Sequence, residues 1–107
     1  MTDAFKDREQ GFEAHYQLEE TLDFRAHARA NRLLGEWAAE QLGLSGDPAH
    51  DYAGSVVTAA VEGHGDATVF DKLLADLGRA GVEITEGRLR LKQEKFLLQA
   101  KTQVHEG

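Results

Sequence analysis

Apolar residues recur at helical spacing in four successive stretches of this chain, and nowhere do apolar and polar residues alternate over a useful length. A strand buried on one face needs that alternation, so the pattern leaves helices as the only way to cover a core. The first stretch, Leu22 to Leu42, carries Leu22, Ala26, Leu33, Leu34, Trp37 and Ala38 on one side, with Thr21 placed to cap its start. Gly43 follows as the expected left-handed residue, with Leu44 folding back. Gly35 inside this helix costs about 1 kcal/mol against Ala, which points to a close helix crossing there.

Asp47-Pro48 signals the second helix, a capping residue before a proline in the first turn. Tyr52, Val56, Val57 and Ala60 form its stripe, which stops at Gly63-His64-Gly65. Asp66 is expected to cap a third helix that turns Val69, Phe70, Leu73, Leu74 and Leu77 inward. Gly81 ends it, and Val82 is placed to pack on Leu77. Thr85 caps the last helix, Ile84 staples onto Leu89, and Leu89, Phe96, Leu97, Ala100 and Val104 face the core while Lys92 and Lys95 face water. Four helices with short connections predict an all-α fold, a four-helix bundle spanning residues 20–107.

Residues 1–19 read differently. They are dense in charge, and no capping signal within them joins them to the bundle. Yet Phe5, Phe12 and Tyr16 recur at steps of seven and four, aligned on one face of a helix, with Arg8, Glu9 and Glu19 flanking. Aromatics at helical spacing usually pack on the chain's own core. On an arm that is frayed when free they are instead the anchors of helix-in-groove recognition. We read residues 1–19 as a mobile arm, helical when its stripe is buried.

Composition excludes several function classes. With 107 residues there is room for one domain, and a hydrophobic fraction of 41% suffices to fold it. A net charge of -7 without a basic stripe argues against nucleic acid and against an anionic membrane surface. No apolar run approaches a bilayer span and no secretory signal opens the chain, so a cytoplasmic location is expected. The chain has no cysteine, hence neither thiolate metal sites nor a cysteine nucleophile.

The remaining chemical patterns are weak. Glu20, Asp23 and His27 share a helix face, but no HExxH or ExxH motif completes a metal site. His50-Asp51 and His64-Gly65-Asp66 have no adjacent nucleophile, and the glycines form no phosphate-binding loop. No cofactor and no catalysis are expected.

The block RANRLLGEWAAEQLGLSG, Arg29 to Gly46, resembles the signature helix of the zeta subunit, the ATPase inhibitor of alphaproteobacterial F-type ATP synthases. The resemblance continues through Tyr52-Ala53, Val56-Val57, Gly65-Asp66, Val69-Phe70, Lys72, Ala80-Gly81-Val82 and Ile84, and at the front through Phe5, Arg8-Glu9, Phe12-Glu13 and Tyr16. It implies a four-helix globular part and a mobile arm that becomes helical in the interface between an alpha and a beta subunit of the soluble head, near the gamma subunit of the central stalk. There it blocks the rotation that hydrolysis drives. Such a protein meets the membrane only through the synthase.

Carried over by position, the arm's contacts fall to Phe5, Arg8, Glu9, Phe12, Glu13, His15 and Tyr16. His15 stands where the family pattern carries Lys, which exchanges a permanent charge for one that titrates near neutral pH. Two other functions remain compatible with the residues: a bundle sensing a small molecule such as a nucleotide, and a subunit that docks without inhibiting.

Overall fold

A computed structural model describes the backbone of residues 2–63 and 65–106, with side chains over 22–63 and 65–104. It contains four helices: α1 Thr2–Gln41, α2 Gly46–Gly63, α3 Asp66–Arg79 and α4 Glu86–Glu106. The described residues form no strand. The expected all-α, four-helix architecture is the observed one.

The stops are those that glycine dictates. Gly43 has φ 77°, Leu44 N–H donates to Ala39 O at 2.9 Å and Gly43 N–H to Glu40 O at 3.0 Å. These crossed bonds satisfy carbonyls that the end of α1 would otherwise leave open. The end of α3 repeats the arrangement: Gly81 has φ 81°, Val82 N–H donates to Leu77 O at 2.9 Å, and Gly81 N–H to Gly78 O at 3.0 Å. At the start of α4, Thr85 Oγ1 accepts from Arg88 N–H at 3.2 Å, the expected cap.

Three expected caps are displaced. Asp47 is the second residue of α2, which already begins at Gly46, and so lies in its first turn rather than at its cap. Thr21 lies within α1, which runs on without interruption from Thr2, so it starts no helix. Asp66 is the first residue of α3, and Gly65 occupies the cap position with no side-chain bond. Asp66 Oδ1 instead accepts from Gln93 Nε2 at 3.1 Å, a bond that ties α3 to α4.

The main core joins Leu34 and Ala38 of α1, Val56 of α2, Val69, Phe70, Leu73 and Leu77 of α3, and Leu89 of α4. A smaller cluster of Ala26, Ala30 and Ala100 seals α1 against α4, with Phe96, Leu97 and Val104 packed around it. Ala26, Ala30 and Ala38, in a four-residue series broken only by Leu34, let the other helices approach α1 closely. The approach is tightest at Gly35, where an added Cβ would sit 2.8 Å from Ala53 Cα and 3.2 Å from Val56 Cβ. The predicted close crossing is therefore between α1 and α2, and Gly35 permits it.

Candidate functional site

The functional reading of the sequence rests on Phe5, Arg8, Glu9, Phe12, Glu13, His15 and Tyr16. All seven positions fall within the span of α1, and their side chains lie outside the described residues. What can be described is the bundle from which this segment extends.

Immediately after that segment, α1 and α2 border an apolar groove. It has a volume of about 190 Å³ and is lined by Phe24, His27 and Asn31 of α1, Val57 and Val61 of α2, and Asp66 of α3, among others. Phe24 is 66% exposed and Val61 58%, so the groove opens outward onto two large apolar side chains. Sequence reasoning missed both. Each stands alone on the wet face of its helix, and scattered exposed apolar residues are ordinary on any protein.

The groove holds no lysine or arginine among its lining residues. Among the described lining residues His27 is the basic side chain, and the carboxylate of Asp66 would oppose the phosphates of a nucleotide placed there. Beneath it, Asn31 is buried and accepts from Gln93 Nε2 at 3.3 Å, so its amide locks α1 to α4. His50 takes a structural part: Arg32 Nη2 donates to its Nδ1 at 2.6 Å across α1 and α2. His64 lies outside the described residues.

One polar network is set into the α2–α3 contact. Asp76 Oδ2 accepts from Tyr52 Oη at 2.8 Å and from Lys72 Nζ at 3.0 Å, and Arg79 bonds Oδ1. Lys72 also lies 5.0 Å from the Tyr52 ring centroid. Burial alone would raise the pKa of Asp76, but the bonds from Lys72, Tyr52 and Arg79 outweigh it and hold the carboxyl below its usual range. Burial, and then the bond to the Asp76 carboxylate, push the Tyr52 phenol well above its ordinary value. Both groups keep one charge state across the physiological range, so the network acts as a clasp between helices with no proton to exchange.

No three His, Asp or Glu side chains converge on a metal-sized site among the described residues. Nor does any helix among them have the length and apolarity to cross a membrane. The described residues thus form a small helical bundle with a clasped α2–α3 contact, an apolar groove and a long helical extension.

The family model for ATPase inhibitor subunit zeta matches residues 1–103, and the chain belongs to that family. It is accordingly a regulatory protein, an inhibitor subunit rather than an enzyme, and its partner is the ATP synthase. A search of curated proteins finds no match to the chain.

Proposed function

We propose that residues 1–19 are the inhibitory element and that they act by entering, as a helix, the interface between an alpha and a beta subunit of the synthase's soluble head, near gamma. The observation that carries this reading is the extent of the family match, which begins at residue 1 and so includes the arm. In this reading the arm is mobile in the free protein, and the globular part, residues 20–107, stays outside the catalytic interface.

The bundle prepares the arm physically. Starting a helix in water is unfavourable because the first turn fixes several residues for one hydrogen bond. The packed part of α1, from Ala26 to Ala39, is already helical, with its inward face buried. Helix in the arm, as the front of α1, therefore needs propagation only, and Gly11 opposes it by about 1 kcal/mol.

Phe5, Phe12 and Tyr16 then fill apolar pockets of the partner, each worth about 1.5–3 kcal/mol when buried. Arg8, Glu9, Glu13 and a protonated His15 set the register through charged pairs. With the arm held, the interface cannot close and reopen, and rotation driven by hydrolysis stops.

The test is ATP hydrolysis by the cognate soluble head, titrated with the full chain and with a chain lacking residues 1–19. Inhibition by the full chain alone supports the wedge. Equal inhibition by both would move the active surface to the bundle and overturn the proposal. Binding without inhibition by the full chain would make it a docking subunit.

A further inference from the structure

Helix α4 meets the bundle with one face and leaves two large leucines exposed on the opposite one. The inner face carries Leu89 and Ala100, fully buried, with Phe96, Leu97 and Val104 half-buried beside them. On the outer face Arg88, Leu91, Lys95, Leu98 and Thr102 follow each other at steps of three and four residues, all exposed. Leu91 is 66% exposed and Leu98 70%. The two leucines lie seven residues apart on one helix face, where a single partner helix could cover both.

The seam is also the basic part of an acidic molecule. Helix α4 carries Arg88, Arg90, Lys92, Lys95 and Lys101 against Glu86, Glu94 and Glu106, on a chain of net charge -7. Beside Leu91 a groove of about 260 Å³ is lined by Trp37, Ile84, Arg88, Leu91, Lys92 and Lys95, with no carboxylate among them. Lys92 sits 4.9 Å from the Trp37 ring centroid, so its charge is held at the rim of this groove. Among the side chains described on α4, Glu94 is the acid that borders the seam.

We infer that the Leu91–Leu98 seam is the surface by which the globular part docks on the ATP synthase, against an acidic amphipathic helix of that partner. The inference rests on the inhibitor reading above. Charge complementarity selects the occupant: apolar residues would cover Leu91 and Leu98, and carboxylates at the edges would meet Arg88, Lys92 and Lys95. A second copy of the chain fits poorly, because a two-fold contact through the same seam would bring like charges together.

Association of the full chain with the immobilised soluble head, measured at low and at moderate salt, tests this. Leu91→Gln with Leu98→Gln, and separately Lys95→Glu, should each weaken binding about tenfold. The Lys95→Glu deficit should shrink as salt rises, because exposed charges are screened. Thermal melting followed by circular dichroism should stay at the wild-type value in both variants. Wild-type affinity in both variants overturns the docking seam, and if the wild type still inhibits, the inhibitor reading survives. A wild-type chain that neither binds nor inhibits overturns both. A wild-type dimer in sedimentation that the leucine double variant turns into a monomer assigns the seam to a second copy and also overturns the proposal.

Discussion

The two halves of α1 are made of different residues for different tasks. From residue 26 onward the helix buries Ala26, Ala30, Leu34, Ala38 and Ala39, with Gly35 between them, so its inward face is narrow and other helices lie close. Residues 1–21 put their bulk in Phe5, Phe12 and Tyr16 and supply no such run of small residues. Small residues suit a contact made once, during folding, where backbones must approach. Large aromatics at wide spacing suit a contact made with a separate surface, because each can fill its own pocket at little entropic cost. A single helix thus joins a half that is specified by its own bundle to a half that we assign to a partner.

The largest expected effect tests the packed half. Gly35→Val places a branched side chain where even a Cβ meets Ala53 Cα at 2.8 Å, so α1 and α2 must separate. We expect a loss of about 3 kcal/mol in urea denaturation, at the upper end for overpacking. A midpoint within error of wild type would show that the crossing yields, and the contrast between the halves would weaken.

Phe12→Ala is the counterpart in the arm. It should move the denaturation midpoint by under about 0.5 kcal/mol, as for a residue outside the core. It should also raise the concentration needed for half-inhibition more than tenfold, in line with the loss of about 1.5–3 kcal/mol of aromatic burial. A chain destabilised by this change yet equally inhibitory would reverse the assignment, placing the aromatic stripe on the bundle.

The Tyr52–Asp76 clasp gives a smaller effect, confined to the globular part. Tyr52→Phe removes one hydrogen bond and should cost about 1 kcal/mol at neutral pH while leaving inhibition intact. Because the folded state holds the Asp76 carboxyl below its ordinary value, its contribution is present above the unfolded pKa and is lost as pH falls through the folded one. The window therefore lies below about pH 4. Asp76→Asn should flatten the acid limb of the stability curve there, and an unchanged limb would remove the clasp from the account.

How much of this was legible in the sequence depended on whether the cause was local. Gly43, Gly81 and Thr85 terminate helices through bonds to residues three to five positions away, so their roles could be read from spacing alone. Gly35 was legible because a glycine inside a strong helix needs a reason, and a close neighbour is the usual one. Thr21 misled because a capping residue is only an opportunity; a helix that has begun earlier passes through it. Burial of Ala30 and Asn31 went unread, since it comes from contact with Ala100 and Gln93 of α4, far along the chain. The seam on α4 escaped for another reason: Leu91 and Leu98 stand outside the inner stripe of Leu89, Phe96, Leu97, Ala100 and Val104, and two isolated exposed leucines carry no signal of their own. The arm's assigned contacts depend on a surface that is not part of this chain, so neither its sequence nor its fold contains that half of the geometry.

The smallest expected effect lies in the arm, at His15. A lysine at this position would be charged at every physiological pH, whereas histidine gains its charge only as pH falls through about 6.5. If the partner offers a carboxylate to this position, the protonated form binds better, and inhibition strengthens between pH 8 and about pH 6 by less than about 1 kcal/mol, as for an exposed ion pair. His15→Lys should hold the stronger level across that range, and His15→Ala should stay at the weaker one. The clasp at Asp76 does not contribute to it, because that carboxyl is held below its ordinary range and stays charged near neutrality. Half-inhibition concentrations that stay flat from pH 6 to 8 in the wild type would mean that the partner leaves this position in solvent, and the arm's register would then have to be set by Arg8, Glu9 and Glu13 without it.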